Sequence, residues 1–162
     1  MPSIKEKLVH HLQEAHAMER NVLEMLGSMI ETTDDPEILR ELAHHREETQ
    51  RHEDSLTDCL EAHGEKPSQT LEIPALFGAI VKGFTDKTRG EKPTRNARDG
   101  YVTEHAEIAV YEILERIAQE AGDQKSAEVA RRNRQDEESM ARKIASSWDK
   151  AVKLGLQAEG IT

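Results

Sequence analysis

Apolar residues recur every three or four positions along four long stretches of the chain, and the links between those stretches differ sharply in length. That period puts a single apolar face on a helix, and such faces must bury against one another. The first stretch, 3–31, carries Leu8, Leu12, Ala15, Val22, Leu26 and Met29. The second, 35–63, carries Ile38, Leu39 and Leu42, then a gap, then Leu56, Cys59 and Leu60. The third, 94–121, has Val102, Ile108, Tyr111, Leu114 and Ile117, and the fourth, 124–154, has Ala127, Ala130, Ala141, Ile144, Trp148 and Val152. Aromatic residues make up 3% of the chain and charged ones 33%, a balance that suits solvated helices and not sheets.

The links choose the topology. Asp35 is placed to cap the second helix and Pro36 to open it, so helices one and two join through a short turn. Gly64 ends the second helix, and Gly122-Asp123 forms a tight turn in which Asp123 caps the fourth. Between Glu65 and Arg95 the pattern is broken by Pro67, Pro74, Gly90 and Pro93, with a short fifth helix expected over 73–86. Its apolar run Ile73 to Val81 must be covered, either by its own bundle or by a second copy. Two antiparallel hairpins and a long crossover describe an all-α, ferritin-like four-helix bundle, one domain over 1–162.

Composition narrows the function classes. The net charge of -10 disfavours nucleic acid and anionic membranes as partners. Arg131, Arg132 and Arg134 make a small basic patch that reads as a solvated helix face. With Cys59 as the lone cysteine, an intrachain disulfide and a thiolate metal cluster are both ruled out. No apolar run nears the ~20 residues of a membrane helix, and the N-terminus lacks an apolar leader core, so a cytoplasmic protein is expected.

Each long helix carries a glutamate in its middle where helical phase asks for an apolar residue: Glu19, Glu48, Glu107 and Glu137. Glu19 follows Ala15 and precedes Val22, and Glu137 leads on to Ala141 and Ile144. Stepping back from Tyr111 reaches Glu107 and then Glu104, while the gap in helix two offers His45, Glu48, Thr49 and His52. Glu19 and Glu48 are nearly equidistant from the turn at Thr33, as are Glu107 and Glu137 from Gly122, so the four should meet at one height. A buried carboxylate costs several kcal/mol unless a cation compensates it. Carboxylates and imidazoles without thiolates suit iron, manganese or zinc. The expected ligands are Glu19, Glu48, His52, Glu104, Glu107 and Glu137, with His45 the alternative to His52 on helix two, and Tyr111 as a hydrogen-bonding neighbour. His10, His11, His16, His44 and His63 read as surface or rim residues, and Cys59 and Met140 as packing.

Several blocks resemble the YciE/YciF-type ferritin-like family: Glu19 with Leu23 and Leu26, His45-x-x-Glu48-Thr49, Gly64-Glu65-Lys66-Pro67, and Glu104-His105-x-Glu107-Ile108-Ala109-x-Tyr111. The resemblance spans nearly the whole chain and is weakest between Ser68 and Arg95. It implies a link to bacterial stress responses, a fold related to rubrerythrin, and a homodimer. Rubrerythrin-like sites take one glutamate from helix one, two spaced i,i+3 from helix three, and Glu-x-x-His from helices two and four. Glu19, Glu104 and Glu107 match; helix two has its histidines at His45 and His52, and helix four has Met140 where a histidine would stand.

The leading expectation is a protein binding two metal ions, iron before manganese or zinc, that reacts with oxygen or peroxide as an oxidase or peroxidase in stress protection. The competing expectation is a metal-independent bundle with a structural or interaction role, its carboxylates offset by Arg46, Arg134 and protonated histidines. Iron storage in a many-subunit cage is the third.

Overall fold

In the computed structural model, which describes residues 1–68 and 92–161, five helices form and no strand is present among the described residues. They are α1 (Ile4–Glu31), α2 (Pro36–Ala62), α3 (Lys92–Glu120), α4 (Gln124–Ala145) and α5 (Trp148–Ala158). The expected short helix at 73–86 and its apolar run lie outside the described residues. No helix among those described is long and apolar enough to cross a membrane.

Local chemistry sets the ends. Ser3 and Glu6 close a reciprocal capping box on α1, with Glu6 N to Ser3 Oγ at 3.2 Å and Ser3 N to Glu6 Oε2 at 2.6 Å. Asp35 Oδ1 accepts from Glu37 N and Ile38 N, both at 3.0 Å, and Pro36 occupies the first helical position. At the far ends of α2 and α3 the chain leaves through Gly64 and Gly122, at φ 76 and 73. The next amides reach back, Glu65 N to Leu60 O at 3.0 Å and Asp123 N to Ala118 O at 2.9 Å, satisfying carbonyls that would otherwise be orphaned.

The helices pair as two hairpins, α1 with α2 and α3 with α4; across the bundle α1 faces α3 and α2 faces α4. One apolar cluster joins Leu8 and Leu12 of α1, Leu56 and Leu60 of α2, Leu114 and Ala118 of α3, and Ala127 and Ala130 of α4. Beginnings of α1 and α4 thus meet the ends of α2 and α3, giving an up-down-down-up bundle in which α2 and α3 run parallel. A second cluster, Val22, Met25, Leu26, Met29 and Leu42, fills the other half. Between the two lies a layer of buried polar groups.

Two elements depart from the periodicity. The fourth apolar stretch is two helices, broken at Ser146 and Ser147, whose hydroxyls donate to Lys143 O at 2.7 Å and Ile144 O at 2.9 Å. Serine side chains compete there for carbonyls that the helix would use, and the chain turns. After the break the phase slips, so Ala151 and Gly155 are buried, while Trp148 and Val152 are 37% and 47% exposed. In α3 the buried stripe is Glu104, Glu107, Tyr111 and Leu114; Val102, expected on it, is 43% exposed.

Candidate metal centre

The polar layer takes Glu19 from α1, His45 and His52 from α2, Glu104 and Glu107 from α3, and Glu137 from α4, and none of the six is more than 2% exposed. Each occupies a position of its helix that alternates by three and four with the apolar residues above and below. In α2 that series runs Leu42, His45, Thr49, His52, Leu56, all buried.

Ligand atoms converge in two groups that share one residue. One group is His45, Glu104, Glu107 and Glu137; the other is Glu19, His52 and Glu137; within each, the donor atoms lie within 4.8 Å of one another. His45 Nε2 is 3.2 Å from Glu104 Oε1 and 3.6 Å from Glu137 Oε2. His52 Nδ1 is 2.8 Å from Glu137 Oε1 and 3.5 Å from Glu19 Oε1. Short as they are, these approaches leave both histidine nitrogens without a partner of hydrogen-bonding geometry. The same holds for Glu19 Oε2, Glu104 Oε2 and both oxygens of Glu107 and of Glu137. Eight orphaned polar atoms in one layer are a heavy cost for a protein interior.

The outward side of each histidine is held. His52 Nε2 sits 3.1 Å from Asp136 Oδ2, and His45 Nδ1 sits 3.4 Å from Glu48 Oε2. A carboxylate on one ring nitrogen fixes the tautomer and leaves the other nitrogen's lone pair free to bind a metal. Tyr111 donates its hydroxyl to Glu19 Oε1 and accepts from Asn133 Nδ2 at 3.1 Å, which fixes the orientation of the α1 carboxylate.

Protonation follows from burial and crowding. Burial, opposed by the His52 contact and reinforced by Glu104, lifts Glu137 from an ordinary 4.5 to about 7. Burial and three neighbouring carboxylates push Glu107 well above the usual range, and burial raises Glu19 as well. Burial disfavours the charged form of His52, yet Glu137 and Glu19 outweigh it and carry that histidine from 6.5 to about 10. The same contest, with Glu104 dominant among the carboxylates, raises His45. Protons on these groups offset part of the carboxylates' mutual repulsion.

Of the expected residues, the structure brings Glu19, His52, Glu104, Glu107 and Glu137 together and adds His45. Glu48 lies outside both groups: it is half-buried at the rim, where its two oxygens meet His44 Nε2 at 3.1 Å and His45 Nδ1. Its contact with His45 holds its own carboxyl below the usual range. His16, read from the sequence as a surface or rim residue, is buried at 4% exposure, 3.5 Å from Glu53. Neither arginine reaches the layer. Arg46 is exposed, and Arg134 pairs with Glu112, Glu115 and Glu138.

A ferritin-like helical bundle with a buried carboxylate–histidine layer able to hold metal ions is the class that this fold and these side chains define. Within it, the chain belongs to the family described as a domain of unknown function (DUF892), which it matches over residues 3–157. The motif resemblance to the YciE/YciF-type proteins therefore stands. A crystal structure of a protein from Xanthomonas campestris is 28% identical, with a TM-score of 0.82 over 98% of this chain and 100% of that one. YcfI from Rhodopseudomonas palustris is 25% identical, with a TM-score of 0.79 over 89% of this chain and 94% of that one. The E. coli stress protein YciF shares the fold at 18% identity, with a TM-score of 0.76 over 94% of this chain and 99% of that one.

Proposed function

We propose that the layer binds two divalent metal ions, iron in the first instance, with Glu137 shared between them, and that the loaded protein consumes oxygen or peroxide in stress protection. The observation that carries this reading is the set of buried donor atoms without hydrogen-bond partners, arranged as two groups around one carboxylate. Charge supports it too: the groups contain four glutamates, Glu19, Glu104, Glu107 and Glu137, and two divalent ions would cancel them. Oxygen and imidazole donors without sulfur suit iron or manganese in bundles of this kind.

Ferrous ions held there would supply electrons to a bound oxidant. The chain does the rest. Asp136 and Glu48 aim the two histidines, Tyr111 holds Glu19, and the apolar clusters on either side keep bulk water from the layer. That YciF is a stress protein fits a role in oxidant removal.

The metal-independent reading draws on the histidine–carboxylate approaches, which protonated His45 and His52 would make ion pairs. It is the weaker one, since two cations face four carboxylates and the arginines point elsewhere. Anaerobic loading with ferrous iron, desalting and metal analysis separate the two. About two irons per chain, lost in Glu137→Ala, with a melting temperature lowered by chelator, is the expected result. No uptake and a melt indifferent to chelator would overturn the metal reading.

A further inference from the structure

Above the layer, on the side of the α1–α2 turn, the described residues leave a space between the helices. A cavity of about 720 Å³ lies between that turn, the start of α3, the end of α4 and α5. Its inner wall is apolar, made by Met29, Leu42, Met140 and Ile144, with Ala97 on the α3 side. Two of these residues also border the metal layer: Leu42 stands one turn from His45 and Met140 one turn from Glu137, a rise of about 5 Å. Leu42 and Met140 therefore join the wall of the cavity to the helical turns that carry the layer.

The wall says what kind of molecule fits. The rim holds three lysines, Lys92, Lys143 and Lys150, against four acids, Asp34, Asp35, Glu37 and Glu41; Lys143 pairs with Glu41 at 2.7 Å and Lys150 with Asp35 and Glu37 at 2.8 and 2.6 Å. An anionic guest would have to break those pairs, whereas a neutral one leaves them intact. The volume is that of a small organic ligand, and an apolar wall facing a polar rim, here with Thr33, Asn96 and Ser147, can hold one end of it and orient the other. Met140 is suited to a movable partition, being unbranched and free to change rotamer. Its identity then has a reason. A histidine at this position would offer the layer another ligand and a fixed polar wall; methionine gives up the ligand and leaves a soft apolar one.

We propose that this cavity binds the body of a small, neutral organic hydroperoxide, aryl or alkyl, with its peroxide end directed past Leu42 and Met140 toward the metal layer. This rests on the metal reading above and specifies the oxidant. The balance is complete with iron as the reductant: the O–O bond breaks, two ferrous ions give one electron each, two protons are taken up, and an alcohol and water are released.

Binding is tested apart from the metal. Metal-free, full-length protein carrying ¹³C-methyl methionine is titrated with cumyl alcohol, the unreactive counterpart of cumene hydroperoxide. The Met29 and Met140 methyl resonances should shift, with Met18, in the opposite cluster, unmoved. Ala97→Trp, which fills the cavity from α3, should abolish the shifts. Iron-loaded Ala97→Trp should consume cumene hydroperoxide about tenfold more slowly than the unaltered protein, with hydrogen peroxide consumption kept. Absence of shifts at Met29 and Met140, equal shifts at Met18, or equal loss with both peroxides would each overturn the proposal. Iron uptake without cumyl alcohol binding removes this inference and leaves the metal reading standing. Cumyl alcohol binding without iron uptake removes both the metal reading and the hydroperoxide assignment.

Discussion

Glu107 is fully buried, and neither of its oxygens has a hydrogen-bond partner among the described residues, while Glu137, Glu19 and Glu104 crowd it. In the metal-free protein such a group is a liability. Glu107→Met should therefore stabilise the metal-free protein by about 1–4 kcal/mol, as apolar replacements of buried charge clusters do, and reduce metal uptake. Denaturant melts of both proteins without metal check it, and a less stable variant would show that the carboxylate is better accommodated than its surroundings suggest. Glu48→Gln should weaken metal binding by about 10- to 100-fold without changing the stoichiometry, whereas Glu137→Ala removes the donor common to both groups. Titration calorimetry with ferrous iron or manganese distinguishes the two outcomes. The contrast between Glu48 and His45 shows what was legible in the sequence. The depth of the layer and the carboxylates of α1, α3 and α4 follow from phase and from distance to the turns. On α2 the strict alternation of three and four selects His45, Thr49 and His52, and Glu48 falls one step off it. The sequence reading counted Glu48 among the phased glutamates; the alternation carried from Leu42 to Leu56 passes through His45 and His52 instead.

At the scale of elements, two glycines in helices should respond in opposite directions. Gly27 lies within α1, and a Cβ there would meet nothing within 4 Å. Gly27→Ala should stabilise the protein by about 0.5–1 kcal/mol through backbone entropy alone. Gly155 of α5 packs against the start of α3, where a Cβ would run into Thr94 Oγ1 and approach Thr94 Cβ at 3.4 Å. Thr94 Oγ1 also donates to Ala151 O at 3.4 Å, so moving it aside costs a link between the two helices. Gly155→Ala should destabilise by about 1–3 kcal/mol, and a neutral melt would mean that α5 docks more loosely than this contact requires. The helix ends were readable because Asp35, Gly64 and Asp123 are strong local signals whose partners lie a few residues away. The break at Ser146 and Ser147 was not, because the apolar spacing continues through it from Ile144 to Trp148. Only the docking of α5 on α3, where Tyr101 and Trp148 rings stand 5.4 Å apart, reveals that the face has turned.

For the whole molecule, a metal bound as proposed would compete with protons for the layer, and the shifted groups set the sign of that competition. Glu137 titrates at about 7 when folded against 4.5 ordinarily, so between those values the folded protein holds a proton that the unfolded chain has shed. Stability must fall as pH rises through that window, because the unfolded state binds fewer protons. His52, raised from 6.5 to about 10, acts in the same direction over the next window: its contribution is fully present below 6.5 and lost as pH climbs through 10. The metal-free protein should therefore melt at steadily lower temperature from about pH 5 to about pH 9. The proposed metal should reverse the slope. Its ligands must give up their protons to bind it, so affinity rises with pH, protons are released on loading, and the gain in melting temperature from added metal grows toward alkaline pH. Paired melts with and without metal across this range, with an indicator dye to count released protons, test both halves together. Should the metal-free melt instead rise toward pH 9, the four carboxylates would be ionising at no cost, and the layer would have no electrostatic need for a cation.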